Sequence, residues 1–159
     1  MKWMFTNSVF LFINGTLYLQ MENIKTTTIQ NVIRILLGLF MISAAIGHFT
    51  LQREAFQAQV PNWVPMSKDS VVLLSGIVEI SLGLGMIFWT GQKVRFGIAL
   101  ALFYVLIFPG NIAQYLNGTD AFGLNTDGAR LMRLFFQPIL ILAALWSTGA
   151  LGYFFKKNR

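Results

Sequence analysis

Four apolar stretches, each long enough to cross a bilayer as an α-helix, constrain the fold of this chain more than any other feature. They cover about residues 29–49, 71–89, 94–116 and 131–155, and polar segments separate them. A helix needs roughly 20 apolar residues to cross the hydrocarbon core. The stretches are continuously apolar, whereas the strands of a membrane barrel alternate apolar and polar residues. We therefore predict an all-α fold, a membrane-embedded antiparallel four-helix bundle.

The composition agrees with a lipid environment. The chain is 55% hydrophobic and 11% charged, whereas soluble domains carry about 25% charged residues. The net charge of +6 fits anionic lipid headgroups, so we expect the lipid bilayer and no nucleic acid as a partner. The absence of cysteine excludes a thiol active site or an iron–sulfur cluster held by the chain's own thiolates. With a single histidine, we predict no metal site.

The distribution of charge predicts the orientation of the bundle. One face holds both termini and the turn at residues 90–93, with eight Lys or Arg residues and one acid. The other face holds the two longer loops, with four basic and four acidic residues. Because Lys and Arg concentrate in cytoplasmic loops, we expect both termini in the cytoplasm and the protein in the cell membrane. Arg34 belongs to the cytoplasmic face if its side chain extends towards the headgroups.

The ends of the chain lie outside the predicted bundle. Residues 1–28 contain an apolar stretch that is too short to cross a bilayer, and we predict a tail that is poorly ordered or lies at the membrane interface. An alternative is that translation begins at Met21, with the preceding residues an upstream read-in. Residues 29–155 form the predicted transmembrane domain, and residues 156–159 form a basic cytoplasmic tail.

Glu79 is the most unusual residue of the apolar stretches. It lies near the middle of the second stretch, roughly 13 Å from its start at 1.5 Å per residue. Gly76 and Gly83 share its helix face, and small residues mark the packed faces of membrane helices. We therefore expect Glu79 to face the bundle interior. A carboxylate at this depth is costly, and such residues often mark functional sites.

Polar residues from all four stretches fall in the same half of the bundle, away from the cytoplasm. Arg133 and Gln137 share a helix face at i, i+4. Arg133 is long enough to reach towards Glu79, and an ion pair or a bridge through His48 or Asn111 would lower the cost of burying the carboxylate. The predicted residues of a ligand pocket are His48, Ser75, Glu79, Asn111, Arg133 and Gln137.

Each of these residues also has a structural explanation. A buried ion pair accounts for Glu79, and headgroup anchoring accounts for Arg133. Asn111 and Gln137 are typical of hydrogen bonds between membrane helices, and a serine such as Ser75 often bonds to its own helix backbone. The sequence gives no catalytic residue beyond Glu79 as a candidate proton acceptor.

Five short motifs, taken in order, carry a resemblance to a known family. They are Gly47-His48-Phe49, Val60-Pro61-x-x-Val64-Pro65, Ser75-Gly76-x-x-Glu79, Phe108-Pro109-Gly110-Asn111 and Arg133-x-x-x-Gln137. In this order they resemble the motifs of the DoxX-like membrane proteins over about residues 29–155. Phe135 and Phe136 depart from the Pro-Leu that this family often has there. The resemblance implies a small integral membrane protein with four helices.

The same resemblance implies a link to redox chemistry. The founding DoxX protein is a subunit linked to thiosulfate oxidation with quinone as the acceptor. Relatives are linked to thiol-stress or quinone-related systems, often as partners of soluble redox proteins. The resemblance therefore implies an accessory membrane subunit of a quinone- or thiol-linked oxidoreductase, with a soluble or peripheral redox protein as its partner.

We expect an outward-facing polar pocket around Glu79. Glu79 would accept a proton, and His48, Asn111 and Gln137 would orient the headgroup of a quinone, with no covalently bound cofactor. One alternative is a binder or isomerase of a lipid- or sterol-like ligand, in which Glu79 and His48 form an acid–base pair. The other alternative is a structural membrane scaffold without chemistry.

Overall fold

Helices are the regular elements of the structure, a computed structural model that describes residues 24–157, and no β-strand occurs in that range. In chain order they are α1 (Thr28–Phe49), α2 (Arg53–Gln57), α3 (Lys68–Phe88), a 3₁₀ turn (Thr90–Gln92), α4 (Lys93–Leu116), α5 (Asp127–Ser147) and α6 (Ala150–Lys157). The prediction of an all-α fold is confirmed for these residues. The four long helices α1, α3, α4 and α5 are apolar and long enough to cross a membrane, which is the pattern of a multi-pass membrane protein.

Side-chain caps fix the starts of three long helices. The Thr27 hydroxyl accepts a hydrogen bond from the backbone of Gln30, and the Gln30 side chain accepts one from the backbone of Thr27, which is a capping box. Ser67 and Thr126 cap α3 and α5 in the simpler way, each accepting from the backbone N–H three residues later. These caps hold the polar loops directly against the apolar helices.

The bundle is built from two closely packed helix pairs, α1 with α3 and α4 with α5. Gly38 and Gly83 lie where α1 meets α3, and a Cβ on either glycine would lie 2.8 Å from the other's carbonyl oxygen. The two helix backbones are therefore in direct contact, as small residues allow in membrane helices. The core around this contact is apolar and includes Leu37, Met41, Leu82, Met86, Leu100 and Ala144.

Hydrogen bonds show which helix ends lie together. Arg34, in the second turn of α1, donates to the carbonyls of Met86 and Ile87 in the last turn of α3. At the opposite end of α1, the His48 ring bonds to the carbonyl of Val72 in the first turns of α3. We call the two ends of the bundle the Arg34 end and the His48 end.

Arg34 is buried and does not extend outwards. Its side chain is 3% exposed, and it ends against carbonyls that have no helical partner at the C-terminus of α3. These carbonyls carry partial negative charge. The prediction that Arg34 reaches the headgroups is therefore wrong, because acceptors inside the bundle bind it first.

The fourth apolar stretch forms two helices instead of one. α5 ends at Ser147, and α6 begins at Ala150. Between them Gly149 has a φ of 79°, a left-handed conformation that favours glycine. A Cβ there would also lie 2.6 Å from Ile24. The prediction of one continuous span over residues 131–155 is therefore wrong.

The predicted tails fall mainly outside the described residues. Residues 1–23, which include Met21, lie outside them, as do residues 158 and 159. Residues 24–27 pack on the Arg34 end, where Ile24 lies against Gly149 and Thr26 accepts a 2.8 Å hydrogen bond from Lys93. This short segment is thus part of the bundle.

Candidate functional site

Glu79 lies in the middle of α3 with only 5% of its surface exposed. Its Oε2 atom is 3.3 Å from Nε2 of His48. Both atoms are buried, and neither has a hydrogen-bond partner within the described part of the chain. Because a buried polar atom without a partner costs free energy, this pair is suited to bind a further polar group.

The surroundings of His48 define where its protons lie. Its Nδ1 atom is 2.8 Å from the carbonyl oxygen of Val72 and 3.0 Å from the hydroxyl of Ser75, which itself donates to the same carbonyl. The ring also stacks on Phe56, with 3.7 Å between centroids. A carbonyl accepts only, so Nδ1 carries a proton and donates it, as in many oriented histidines.

This orientation leaves Nε2 of His48 facing the carboxylate of Glu79. In the neutral ring Nε2 would be an acceptor, and an ionised carboxylate is also an acceptor. Two acceptors 3.3 Å apart repel each other unless one of them is protonated. A proton on either Nε2 of His48 or the carboxyl group of Glu79 would let the two atoms bond, so the arrangement is suited to bind a proton or a polar group of a ligand. Ser75 and Phe56 keep the ring in this position.

Asn111 and Gln137 form a second polar cluster that joins α4 to α5. Nδ2 of Asn111 donates to Oε1 of Gln137 at 2.7 Å, and Nε2 of Gln137 donates to the carbonyl of Tyr104 at 2.7 Å. Both side chains are buried. Each amide thus has a fixed orientation, and the two hydrogen bonds join α4 to α5.

Two cavities meet at Glu79. The smaller one, of about 170 Å³, lies between the α2–α3 loop, α3 and α4, and the larger one, of about 660 Å³, lies between α1, α4 and α5. Glu79, Asn111, Phe56 and Ile107 line both. Both cavities are lined mainly by apolar side chains, and the larger one has the size and character of a small-molecule site.

Arg133 does not approach Glu79. Its Nη2 atom donates to Oε1 of Gln59 at 3.1 Å, and its guanidinium lies 4.9 Å from the ring centroid of Phe122. The ion pair expected between Arg133 and Glu79 is absent from the described residues, and His48 takes its place beside the carboxylate. Arg133 lies four residues before Gln137, which is about one turn nearer to the start of α5 and to the loop that precedes it.

The six predicted residues all line one or both cavities, although they form three separate clusters. His48, Ser75 and Glu79 belong to the first, Asn111 and Gln137 to the second, and Arg133 to the third. The sequence reasoning missed the contributions of the segments between the long helices. These come from Phe56, Gln59 and Phe122. Their only sequence signal is an aromatic or amide residue beside a polar loop, which gives no direction to the side chain.

Four apolar helices around an acid–imidazole pair, at the junction of two apolar cavities, define a small helical bundle with a buried polar site. The chain belongs to the family described as a domain of unknown function, DUF8561, which matches residues 37–148. The matched range contains all six predicted site residues. No curated protein and no solved structure matches the chain.

Proposed function

We propose that this protein is a multi-pass protein of the cell membrane that binds a lipophilic, quinone-like ligand and exchanges protons with it at Glu79 and His48. The observation that carries the proposal is the 3.3 Å approach of Oε2 of Glu79 to Nε2 of His48, placed where Glu79 lines both cavities. The DoxX-like resemblance of the five motifs supports the same ligand class.

The surface of the long helices supports insertion in a membrane. α5 is the least buried of the four, and its outward side consists of large apolar residues. These include Met132, Phe135, Phe136, Ile139 and Leu142. An apolar surface of this extent is unfavourable in water and favourable in hydrocarbon. The contacts at the Arg34 and His48 ends also fit an antiparallel arrangement of α1 and α3, and the excess of Lys and Arg on the face that holds both predicted termini supports its placement in the cytoplasm.

Two glycines provide a test of this topology. Gly152 lies in α6 and Gly128 in the first turn of α5, and a Cβ on either would meet nothing within 4 Å. The chain has no cysteine, so Gly152→Cys and Gly128→Cys each introduce a single thiol. In intact cells, a membrane-impermeant maleimide is expected to label Gly128→Cys, and to label Gly152→Cys only after the cells are opened. The reverse pattern would contradict the proposed orientation.

The geometry fits the protonation of a quinone carbonyl. Reduction of a quinone to a quinol takes two electrons and two protons. A ligand oxygen between Glu79 and Asn111 would receive a proton from the Glu79–His48 pair, and the pair would be reprotonated from water at the His48 end for the second transfer. The electrons come from a separate donor, which the DoxX-like resemblance identifies as a soluble or peripheral redox protein.

Binding of a short-chain quinone tests the proposal directly. Purified protein in phosphatidylcholine nanodiscs is titrated with decylubiquinone, and quenching of tryptophan fluorescence reports binding, since Trp63 lines the smaller cavity. Glu79→Gln should weaken binding by about tenfold or more, the effect of losing a charge-assisted hydrogen bond. The control is Ser81→Ala, because Ser81 lies on the exposed side of α3 and donates to its own helix. Equal affinity of Glu79→Gln and the native protein would exclude the proposal.

The large apolar volume also favours a second candidate, a lipid- or sterol-like ligand. Glu79 and His48 would then act as an acid–base pair without a redox partner. Mass spectrometry of lipids that remain with the purified protein distinguishes the two. Retention of one neutral lipid that Glu79→Gln releases, together with no binding of decylubiquinone, would favour this candidate.

A further inference from the structure

Arg133 carries a positive charge that no carboxylate offsets within the described residues. The neighbouring acids belong to another arginine, because Arg130 forms ion pairs with both Asp120 and Asp127. Arg133 is only partly exposed, and it lines the larger cavity. An uncompensated cation in an apolar cavity is costly, which marks it as a site that a ligand completes.

A chain of amides fixes the position of this guanidinium. Arg133 donates to Oε1 of Gln59, Nε2 of Gln59 donates to Oε1 of Gln114 at 2.8 Å, and Nε2 of Gln114 donates to the carbonyl of Thr119 at 3.3 Å. Thr119 offers only an acceptor at this end, so every amide in the chain is oriented with its oxygen towards Arg133. The amide chain thus binds one Nη atom of Arg133 and provides no counter-charge.

The other donors of Arg133 remain available for a ligand. A guanidinium has five N–H donors, and a single hydrogen bond, to Gln59, holds it within the described residues. Phe122 covers one face of the group. Such a planar, oriented fork is suited to a carboxylate or phosphate.

The larger cavity extends from this cation into the apolar middle of the bundle. Arg133 and Leu140 both line it, and seven residues of helix separate them by roughly 10 Å. Met41 and Phe103 also line it, and both are buried. The cavity therefore has a cationic end beside the loops and an apolar end within the bundle, which is the polarity of a single-chain amphiphile.

We propose that Arg133 forms an anion-binding subsite of the larger cavity, so that the preferred ligands are lipophiles with an anionic head group and a single apolar chain. This inference rests on the proposed function in that it uses the same cavity, to which it assigns a second, anionic class of lipophile. It concerns the end of the cavity at Arg133, whereas proton exchange concerns Glu79.

The test compares two ligands that differ in head-group charge. Radiolabelled decanoate and decanol are equilibrated at pH 8 with protein in phosphatidylcholine nanodiscs, and binding to empty nanodiscs is subtracted. The native protein should bind decanoate about tenfold or more tightly than decanol, and Arg133→Gln should remove this preference. Arg133→Lys keeps the charge and should retain most of it.

Arg53→Gln is the matched control for the loss of one positive charge. Arg53 lies in α2, where its hydrogen bond to Asp69 raises the pKa of the guanidinium, and it lines neither cavity. This variant should keep the preference for decanoate. If the native protein binds decanoate and decanol equally, or if Arg53→Gln and Arg133→Gln weaken decanoate binding to the same extent, the inference is wrong.

Two further measurements show which of the two proposals a negative result contradicts, and whether the anionic head group belongs to a bilayer lipid. Decylubiquinone binding on the same preparations shows whether the Glu79 site is intact, so a native protein that binds decylubiquinone but shows no preference for decanoate overturns this inference alone. Nanodiscs with phosphatidylglycerol distinguish the source of the head group. A loss of decanoate affinity in them that Arg133→Gln does not share assigns the subsite to lipid head groups, and an equal change in both proteins assigns it to single-chain ligands.

Discussion

The two ends of the bundle bury polar residues in different ways. At the Arg34 end, the Nη1 atom of Arg34 meets the free carbonyls at the C-terminus of α3 while its Nε atom lacks a partner within the described residues, and the surrounding core is apolar and closely packed. At the His48 end, the facing atoms of His48 and Glu79 have no hydrogen bond within the described residues, and cavities adjoin them. A buried charge alone therefore does not identify a site.

The two ends differ in whether the bundle itself supplies a partner of opposite charge for the buried charged group. A helix C-terminus is a built-in partner for a cation, because its last carbonyls carry partial negative charge. Glu79 and Arg133 have no such partner and line a space large enough for a ligand. We therefore expect substitutions at the Arg34 end to change stability without changing ligand binding, and substitutions at the His48 end to do the reverse.

The largest effect on stability is expected at the contact between α1 and α3. Gly83→Ala would place a methyl group 2.8 Å from the Gly38 carbonyl oxygen, and overpacking of this kind costs about 1–3 kcal/mol. Gly76→Ala, nearer the His48 end, meets the Phe49 ring at 2.9 Å and Cβ of His48 at 3.0 Å. It should cost less, because the ring can turn away. Thermal unfolding in detergent measures both.

Gly128→Ala is the control for the intrinsic effect of alanine. It lies in the first turn of α5 with nothing within 4 Å of its Cβ position, so it should keep or slightly raise the melting temperature. If Gly76→Ala destabilises the protein more than Gly83→Ala, the inference that the Arg34 end is more closely packed than the His48 end is wrong.

Arg34→Met should have the next largest effect. It removes charge-assisted hydrogen bonds to two carbonyls, worth about 1.5–3 kcal/mol each, but it also relieves the desolvation of the guanidinium. The net loss in the free energy of unfolding is expected to be about 1–2 kcal/mol. Decylubiquinone and decanoate binding should not change. A tenfold loss of either would show that the Arg34 end contributes to the site.

The general fold and part of the site could be predicted from the sequence. Apolar stretches of helical length give the four long helices, and the spacing of Gly76 and Gly83 from Glu79 places Glu79 inside. The sequence could not decide whether His48 or Arg133 is the partner of Glu79, because the choice depends on the direction of side chains near the helix ends. The choice is decided by Gln59, a loop residue that holds Arg133 away.

For a related reason, the sequence does not predict that Arg34 is buried or that α5 ends at Ser147. An arginine near a span end looks the same whether it reaches lipid or a neighbouring helix, and only the position of α3 decides. Gly149 is one of several glycines in apolar stretches, and the structure shows that this one has a left-handed φ and packs against Ile24. Both features depend on packing between segments that are distant in sequence.

A smaller effect is expected for Asn111→Ala, which tests the link between α4 and α5. The change leaves Oε1 of Gln137 without its donor, and hydrogen bonds between membrane helices contribute about 0.6 kcal/mol on average. Because Asn111 lines both cavities, decylubiquinone should also bind more weakly. Ser81→Ala again serves as the control. Unchanged binding would restrict the role of Asn111 to helix packing.

The smallest change in stability is expected for Glu79→Gln, although it should have the largest effect on ligand binding. Oε2 of the carboxylate makes no hydrogen bond within the described residues, so little native interaction is lost. The glutamine amide can donate to Nε2 of His48 at the same position, which removes the acid without leaving two acceptors opposed. The melting temperature should therefore stay within the shift caused by about 1 kcal/mol. A decrease as large as that of Arg34→Met, with unchanged binding of decylubiquinone and decanoate, would mean that Glu79 is as structural as Arg34 and that both ends of the bundle serve only its stability.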